Sequence, residues 1–251
     1  SGQKTLAGKI SQAVGTNGEG GLLGLEVSPN FATDHWLYVY HTASEGNRII
    51  RIKYENNTLV QNTYQILLQG IAKSRYHNGG RLRWGPDNKL YASVGDAQTD
   101  SRAQDNNSLN GKILRINPDG TVPSDNPFGN AVWSKGHRNP QGLDFDSQNR
   151  LWAAEFGNSS QDEVNLITRG GNYGWPNCEG TGGSCSGYIA PKKTWSTGSA
   201  SPSGLTIIND YVFVATTVGQ RVYRMRIDSS SNLVEQATYF QSTYNRLRTV
   251  E

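Results

Sequence analysis

A histidine and an aspartate occur where a proton could be taken from a substrate. His77 lies in YHNGGRL (76–82), just before two glycines that would let a ligand approach the backbone, and Asp96 ends the segment SVGD (93–96). Histidine is the commonest general base near neutral pH, and a carboxylate on its other ring nitrogen fixes the tautomer. The pair therefore indicates base catalysis. The alternatives are a turn or core histidine and a carboxylate that caps a strand end.

Two further segments are rich in groups that could hold an oxygen-rich ligand or a cation. GHRNPQGL (136–143) places Arg138 and Asn139 beside a proline, and arginine binds carboxylates through two parallel hydrogen bonds. EFGNSSQDEVN (155–165) contains Asp162, and carboxylates with backbone carbonyls on a tight loop suit Ca²⁺. A structural turn is the alternative for the first segment, and the second is not an EF-hand.

These candidates lie at the borders of strands that recur along the chain. Four segments combine a polar turn with a strand centred on an aromatic residue, and a second strand follows each of them. The turn–strand segments are SPNFATDHWLYVYHTA (28–43), GPDNKLYASVGD (85–96), FDSQNRLWAAEFG (145–157) and IINDYVFVATTVG (207–219). The strands that follow are IIRIKY (49–54), KILRIN (112–117), EVNLI (163–167) and RVYRMRI (221–227).

The aromatic residues at the centres of these segments define a long repeat. Tyr38, Tyr91, Trp152 and Phe213 are separated by 53, 61 and 61 residues. A multi-stranded repeat of about 50 to 60 residues is typical of a β-propeller, whereas a β-sandwich has strands every 8–12 residues or so without the longer period. We therefore predict an all-β fold, a β-propeller of four-stranded blades in a single domain (1–251). Since 251 residues hold little more than four such blades, either the ring is small or the chain is part of a longer protein. We expect the domain to be incomplete at both ends, lacking parts of the first and last blades.

Composition agrees with this fold and excludes several partners. The chain has 29 glycines and 12 tyrosines, and glycine disfavours a helical bundle because it destabilises helix interiors. The formal net charge is +3, and no stretch holds five Lys or Arg residues together, so we expect no nucleic-acid partner. No apolar run approaches the roughly 20 residues of a membrane span.

The two cysteines, Cys178 and Cys185, lie in one loop, NCEGTGGSCSG (177–187). Their spacing fits neither a CxxC redox pair nor a zinc site, which would need further ligands. We predict a local disulfide, which indicates an oxidising compartment. Two reduced surface thiols are the alternative.

Long stretches of the chain occur in the same order in one known family. They are GEGGLLGLEVSPNF (18–31), HNGGRLRWGPDNKLYASVGD, NGKILRINPDG, DNPF, GHRNPQGLDFD, AAEFGNSSQDEVNLI, GGNYGWP, SPSGL and NRLRTV. Over about residues 18–250 the chain thus resembles the PQQ-dependent soluble glucose and aldose sugar dehydrogenases. The resemblance implies a six-bladed propeller that binds pyrroloquinoline quinone (PQQ) and Ca²⁺ over its channel, in a periplasmic or secreted protein.

The resemblance also implies an activity and the residues that carry it. An aldose would be oxidised at C1 to the aldonolactone, with the hydride passing to the quinone, and an external electron acceptor would reoxidise the cofactor. The catalytic residues implied are His77 as general base, Asp96 as its orienting aspartate, and Arg138. The implied cofactor contacts are Arg138, Asn139, Arg246 and Arg248. The implied metal site consists of the backbone carbonyls of Gly157 and Asn158, with Asp162 near the ion.

One position departs from the family pattern. Val218 stands where the glucose-specific members carry a cofactor-binding lysine, so this charge is either missing or supplied by Arg221. The loop within VATTVGQRVYRM (214–225) is also short, which favours the broader aldose-oxidising branch of the family.

Two other functions compete with the sugar dehydrogenase. They are a non-catalytic propeller that acts as a binding module and a Ca²⁺-dependent lactonase.

Overall fold

The strands form four antiparallel sheets that follow one another along the chain. The computed structural model describes residues 2–182 and 184–251, and in each sheet four strands pair in sequence order. The first sheet contains β1 (Leu22–Val27), β2 (Trp36–Thr42), β3 (Asn47–Glu55) and β4 (Thr58–Ile71). The second contains β5 (Leu82–Trp84), β6 (Leu90–Val94), β7 (Lys112–Ile116) and β8 (Val132–Lys135). The third contains β9 (Pro140–Phe145), β10 (Leu151–Glu155), β11 (Gln161–Ile167) and β12 (Lys193–Ser196). The fourth contains β13 (Pro202–Ile208), β14 (Tyr211–Thr216), β15 (Arg221–Ile227) and β16 (Leu233–Tyr239).

In residues 2–182 and 184–251, helical structure is confined to two single turns. They are α1 (Phe31–Asp34), which precedes β2, and a 3-10 helix (Asp100–Ala103) between β6 and β7. In the described part of the chain, no helix has the length and apolar character that crossing a membrane requires.

The strands predicted from the repeat are the second and third strands of the sheets. β2, β6, β10 and β14 lie within the four turn–strand segments, and β3, β7, β11 and β15 match the strands predicted to follow them. The first strands contact one another from sheet to sheet, β1 with β5, β5 with β9 and β9 with β13. This arrangement confirms the all-β fold and the propeller of four-stranded blades. The single domain with incomplete ends stays a prediction.

Three of the four repeated aromatic residues, Tyr38, Tyr91 and Trp152, pack between neighbouring sheets. Tyr38 of the first sheet meets Trp84 of the second edge-to-face, with ring centroids 4.8 Å apart. Tyr91 of the second sheet meets Phe145 of the third in the same way at 5.2 Å. Trp152 is fully buried in a core that the third and fourth sheets share. The long sequence repeat thus reflects the need to fill each gap between sheets with a large apolar side chain.

Four connections meet at one end of the sheets. They join β4 to β5, β6 to β7, β8 to β9 and β10 to β11. The N–H of Asp96 in the second connection donates to the carbonyl of Arg138 in the third at 2.8 Å. The N–H of Phe156 in the fourth donates to the carbonyl of Asn139 in the third at 3.3 Å. The segments that carry the candidate residues are therefore collected at this end.

The connection between β11 and β12 reaches the same end. Asn172 forms a parallel bridge with the last residue of β8, and the N–H of Trp175 donates to the carbonyl of Gly136 at 3.0 Å. Further along, Cys178 and Cys185 are joined by a disulfide, which confirms the prediction made from the sequence. The disulfide closes the part of this connection that lies nearest the candidate residues.

A buried lysine fastens the β6–β7 connection. Lys112 is fully buried, and its ammonium donates to the carbonyls of Arg102, Ala103 and Asn110 at 2.6, 3.0 and 2.8 Å. Burial lowers the pKa of Lys112 to about 7. Since Asp96 lies at the start of this connection, Lys112 supports the segment that carries the aspartate.

Candidate active site

His77 and Asp96 form a hydrogen-bonded pair. His77 Nδ1 lies 2.8 Å from Asp96 Oδ1; the aspartate side chain is fully buried, and 17% of the histidine side chain is exposed. The indole N–H of Trp175 donates to Asp96 Oδ2 at 2.9 Å, and the backbone N–H of Gln98 donates to Oδ1 at 2.8 Å. With Nδ1 bound to the carboxylate, Nε2 is the ring nitrogen left to accept a proton. The structure thus brings together the two residues that the sequence singled out as a pair.

Contacts from distant segments hold the backbone of His77. Its φ of 59° lies in the left-handed region, which residues other than glycine rarely adopt. Its N–H donates to Glu19 Oε2 at 2.8 Å, and its carbonyl accepts from the N–H of Ala97 at 3.1 Å. Glu19 Oε2 also accepts from Asn139 Nδ2 at 3.4 Å. Such a conformation persists only where the surroundings over-determine it, so Glu19 helps to position the histidine.

Gly79 and Gly80 allow neighbouring strands to pack closely against the backbone after His77. Their φ angles are 65° and 112°. A Cβ on Gly79 would lie 2.7 Å from the carbonyl oxygen of Ser93, and one on Gly80 would lie 2.5 Å from the Cβ of Leu23. The expectation that these glycines admit a ligand to the backbone is therefore wrong, because β6 and β1 occupy the space.

Arg138 bridges from the β8–β9 connection to the β10–β11 connection. Its Nη1 donates to the carbonyl of Gly157 at 2.6 Å, and its Nη2 donates to Asn158 Oδ1 at 3.2 Å. Its guanidinium carbon lies 5.4 Å from the centre of the Trp175 ring. Its Nε is buried without a hydrogen-bond partner among the described residues. Arg138 lines a small cavity together with Gly157, Trp175 and Glu179, so it brings a positive charge and an unused donor to this site.

Asn139 is buried in a polar network that extends to Arg248. Its Oδ1 accepts from the N–H of Gly79 at 3.2 Å and from Gln141 Nε2 at 3.0 Å. Gln141 Oε1 accepts in turn from Arg248 Nη2 at 3.4 Å. Arg246 is exposed on the same segment as Arg248. The structure connects Asn139 and Arg248, and the roles of all three as cofactor contacts stay predictions.

Asp162 braces the loop that the sequence assigned to a cation. Its Oδ1 accepts from the N–H of Gly157 at 2.9 Å, and its Oδ2 accepts from the N–H of Ser201 at 2.7 Å. Burial raises the pKa of Asp162 to about 6, against the opposing effect of these two hydrogen bonds. Across residues 2–182 and 184–251, no group of three or more His, Cys, Asp or Glu side chains is placed to hold a metal ion. The metal roles of Gly157, Asn158 and Asp162 stay predictions.

Glu179 binds the same loop through one carboxylate oxygen. Four consecutive backbone N–H groups donate to its Oε1, those of Asn158, Ser159, Ser160 and Gln161, at 2.6, 2.9, 3.0 and 3.2 Å. Burial acts to raise the pKa of Glu179, but the hydrogen bonds outweigh burial and the pKa lies below its ordinary value. Successive backbone N–H groups form a concave site for anions, and here the protein's own carboxylate fills it.

One buried glutamate, Glu155, supports the β8–β9 connection, and a second, Glu163, lies close to Glu155. Glu155 Oε2 lies 2.9 Å from Nδ1 of the buried His137, and Glu155 Oε1 accepts from the backbone N–H groups of Arg138 and Asn139. Burial, and then the neighbouring charge of Glu155, raise the pKa of Glu163 to about 7. His137 thus has a structural partner and lies away from the His77–Asp96 pair.

Arg221, which could replace the missing lysine charge, is bound within its own hairpin. Its Nε donates to the carbonyl of Gly219 at 2.8 Å, and its guanidinium lies 5.7 Å from the centre of the Tyr223 ring. Val218 is exposed at the same turn.

Three residues of the site were not among the candidates from the sequence. Glu19 and Trp175 lie in motifs shared with the family, GEGGLLGLEVSPNF and GGNYGWP, and this membership was the available signal. Glu179 lies in the cysteine loop, where nothing in the sequence pointed to its contacts with residues 158–161.

Comparison with known proteins places the chain in a family. The model of the family described as Glucose / Sorbosone dehydrogenase matches residues 2–251. The PQQ-bound structure of an aldose sugar dehydrogenase from Streptomyces coelicolor superposes with a TM-score of 0.94 and 42% identity, covering 99% of this chain and 75% of that one. Quinoprotein glucose dehydrogenase B of Acinetobacter calcoaceticus is 36% identical in an alignment 197 residues long that covers 65% of this chain and 41% of the relative. Aldose sugar dehydrogenase YliI of Escherichia coli strain K12 is 32% identical in an alignment 177 residues long that covers 65% of this chain and 48% of the relative.

This chain therefore spans less than half the length of these two curated relatives. The family match extends over nearly every residue of the chain, and it confirms the resemblance seen in the motifs. From its sequence and its fold alike, the chain belongs to the glucose/sorbosone dehydrogenase family.

Proposed function

We propose that the protein oxidises an aldose at C1 to the aldonolactone with the help of PQQ and Ca²⁺. The observation that carries this proposal is the His77–Asp96 pair, which lies in the same cluster of loops as the cationic side chain of Arg138. A propeller that only binds a ligand does not need a histidine oriented by a buried carboxylate. The aldose sugar dehydrogenases among the relatives, one of them with PQQ bound, support the same chemistry.

The side chains at this end of the sheets suit PQQ, which carries carboxylates and quinone oxygens. Arg138 Nε is buried and lacks a partner among the described residues, so an oxygen of a ligand would satisfy it. Arginines bind carboxylates through two parallel hydrogen bonds. Within residues 2–182 and 184–251, the Arg248 guanidinium donates one hydrogen bond, from Nη2 to Gln141 Oε1. The residues that would hold PQQ are Arg138, Asn139, Arg246 and Arg248.

The β10–β11 loop suits Ca²⁺, which prefers carbonyl and carboxylate oxygens. The carbonyl oxygen of Gly157 already faces the positive charge of Arg138 at 2.6 Å. Gly157 and Asn158 would hold the ion through their carbonyls, with Asp162 bracing the loop. When bound, PQQ would supply a two-electron acceptor for the hydride that leaves C1, and Ca²⁺ would supply a positive charge that stabilises the reduced cofactor.

In this proposal His77 Nε2 takes the proton of the anomeric hydroxyl as C1 loses its hydride. Asp96 keeps the ring in the required tautomer and compensates the charge that the ring gains. Arg138 places a fixed positive charge in the site, and charges fixed before the reaction are usually the largest catalytic contribution. The sugar leaves as the lactone because both the proton and the hydride have been removed.

An external electron acceptor would complete the cycle, and the protein would act in the periplasm or outside the cell. The Cys178–Cys185 disulfide supports that location because disulfides persist in oxidising compartments.

The test is a PQQ titration of the purified protein with and without Ca²⁺, followed by visible spectra after adding several aldoses. We expect stoichiometric, Ca²⁺-dependent binding and conversion to the spectrum of the reduced cofactor. Binding without reduction by any aldose would favour the binding module. Hydrolysis of lactones by the protein without PQQ would favour the lactonase.

A further inference from the structure

We propose that Glu179 is a positioning residue that points the carbonyls of Gly157 and Asn158 into the site. The assignment of these carbonyls to Ca²⁺ rests on the proposed function. The orientation itself follows from the contacts of Glu179 with the loop.

The argument begins with the directions of two peptide groups. In a trans peptide the N–H and the C=O point in opposite directions. The N–H of Asn158 belongs to the same peptide as the carbonyl of Gly157, and the N–H of Ser159 belongs to the same peptide as the carbonyl of Asn158. Both N–H groups donate to Glu179 Oε1, at 2.6 and 2.9 Å. Both carbonyls therefore point away from Glu179.

The first of these carbonyls lies where the proposal requires it. The carbonyl oxygen of Gly157 faces Arg138 Nη1 at 2.6 Å, on the side opposite the carboxylate of Glu179. The N–H of Gly157 is held separately by Asp162 Oδ1 at 2.9 Å. The carboxylate of Asp162 thus fixes the start of the loop, and the carboxylate of Glu179 orients the two peptide groups that follow.

Glu179 can act in this way because its neighbours are anchored. Cys178 is buried, its N–H donates to the carbonyl of Gly174 at 3.0 Å, and its sulfur is bonded to Cys185. On the other side the N–H of Gly180 donates to Glu163 Oε1 at 2.5 Å. The carboxylate is consequently presented to the loop from a fixed backbone, and the disulfide contributes to the geometry of the site.

The first test is amide hydrogen exchange of the protein without PQQ or Ca²⁺, followed by NMR. In Glu179→Ala we expect the amides of residues 158–161 to exchange about tenfold faster or more, because they lose a charged acceptor. Glu179→Gln keeps an oxygen acceptor without the charge, so we expect a smaller increase. Thr181→Ala is the matched control, since Thr181 contacts only the Gln161 side chain of this loop, and its amides 158–161 should exchange as in the wild type.

The second test is Ca²⁺ affinity, measured by calorimetry on the protein loaded with PQQ. We expect Glu179→Ala to weaken binding about tenfold and Thr181→Ala to leave it unchanged. Unchanged exchange of amides 158–161 in Glu179→Ala, with the strands of the fourth sheet protected as in the wild type, would overturn the positioning role. Faster exchange with unchanged Ca²⁺ affinity would overturn the link to the ion. A wild-type protein that binds no Ca²⁺ would refute the proposed function, while the exchange experiment would still decide the role of Glu179.

Discussion

The indole N–H of Trp175 donates to Asp96 Oδ2 at 2.9 Å, on the opposite side of the carboxylate from His77. Asp96 is fully buried, so this donor satisfies an oxygen that water does not reach. Trp175 thereby fixes the plane of the carboxylate that orients the histidine, and its ring also faces the guanidinium of Arg138.

Trp175→Phe should lower kcat about tenfold, because the carboxylate and the base lose their fixed geometry. It should also lower the free energy of unfolding by about 1–3 kcal/mol, the cost of an unsatisfied buried acceptor. Steady-state kinetics and urea unfolding measure the two effects. Trp195→Phe is the control, since the buried Nε1 of Trp195 has no hydrogen-bond partner among the described residues. Equal behaviour of the two variants would contradict the role of Trp175.

His77→Ala should reduce kcat by about 10²–10⁴, the usual contribution of a general base, and should leave PQQ binding intact. Turnover with an aldose and a PQQ titration separate the two effects. His35→Ala is the control, because 43% of the His35 side chain is exposed and it contacts Glu55 in the first sheet. Unchanged turnover in His77→Ala would remove the histidine from the mechanism.

Arg248→Ala should raise the Kd for PQQ by about 10- to 100-fold, since hydrogen bonds to a charged carboxylate are stronger than neutral ones. Arg226→Ala is the matched control, because Arg226 pairs with Tyr211 at the end of the fourth sheet away from the site. A PQQ titration that does not distinguish Arg248→Ala from the wild type would refute the assignment.

Stability should depend on pH through Lys112. Because burial lowers its pKa from 10.5 to about 7, the unfolded chain binds more protons than the folded one between these values. The free energy of unfolding of the wild type should therefore rise from pH 7 to pH 10 relative to that of Lys112→Met, by on the order of 3 kcal/mol. Urea unfolding of both proteins across this range measures the difference. A constant difference would show that the lysine does not titrate in this window.

Replacing both Cys178 and Cys185 by serine should cost about 2 kcal/mol of stability, a modest loss because the cysteines are only seven residues apart. Denaturant unfolding of the variant and the wild type without reductant gives the value. A loss near zero would mean that packing alone holds this loop.

The sequence predicted the second and third strands of each sheet well, since a turn and an aromatic residue mark each second strand and the third strand follows it. The first strand of each sheet was harder to predict. β5 has three residues, too few to show a period, and β9 is buried over its first four residues, so alternation is lost. The large aromatic residues carried the signal because they fill the gaps between sheets.

The candidate site, too, contains residues that could be predicted from the sequence and contacts that could not. His77 and Asp96 could be predicted because their residue types define a chemistry and each borders a strand. The contact of Glu179 with Asn158 could not, because the two residues are 21 positions apart and the chain between them includes a strand and a connection whose path depends on the fold. Neither could the burial of Asn139, whose oxygen is used by the protein's own backbone at Gly79.

Glu19 connects the first part of the chain to the candidate site, since its Oε2 accepts from the backbone N–H of His77 and from the side chain of Asn139. The contact with Asn139 joins residues 120 positions apart. Contacts of such high sequence separation close late in folding, because the chain entropy of the long loop must be overcome first. We therefore expect the histidine to acquire its final backbone conformation only once the first and third sheets are in place. Recovery of activity during refolding should accordingly follow the slowest assembly step, after the individual hairpins have formed.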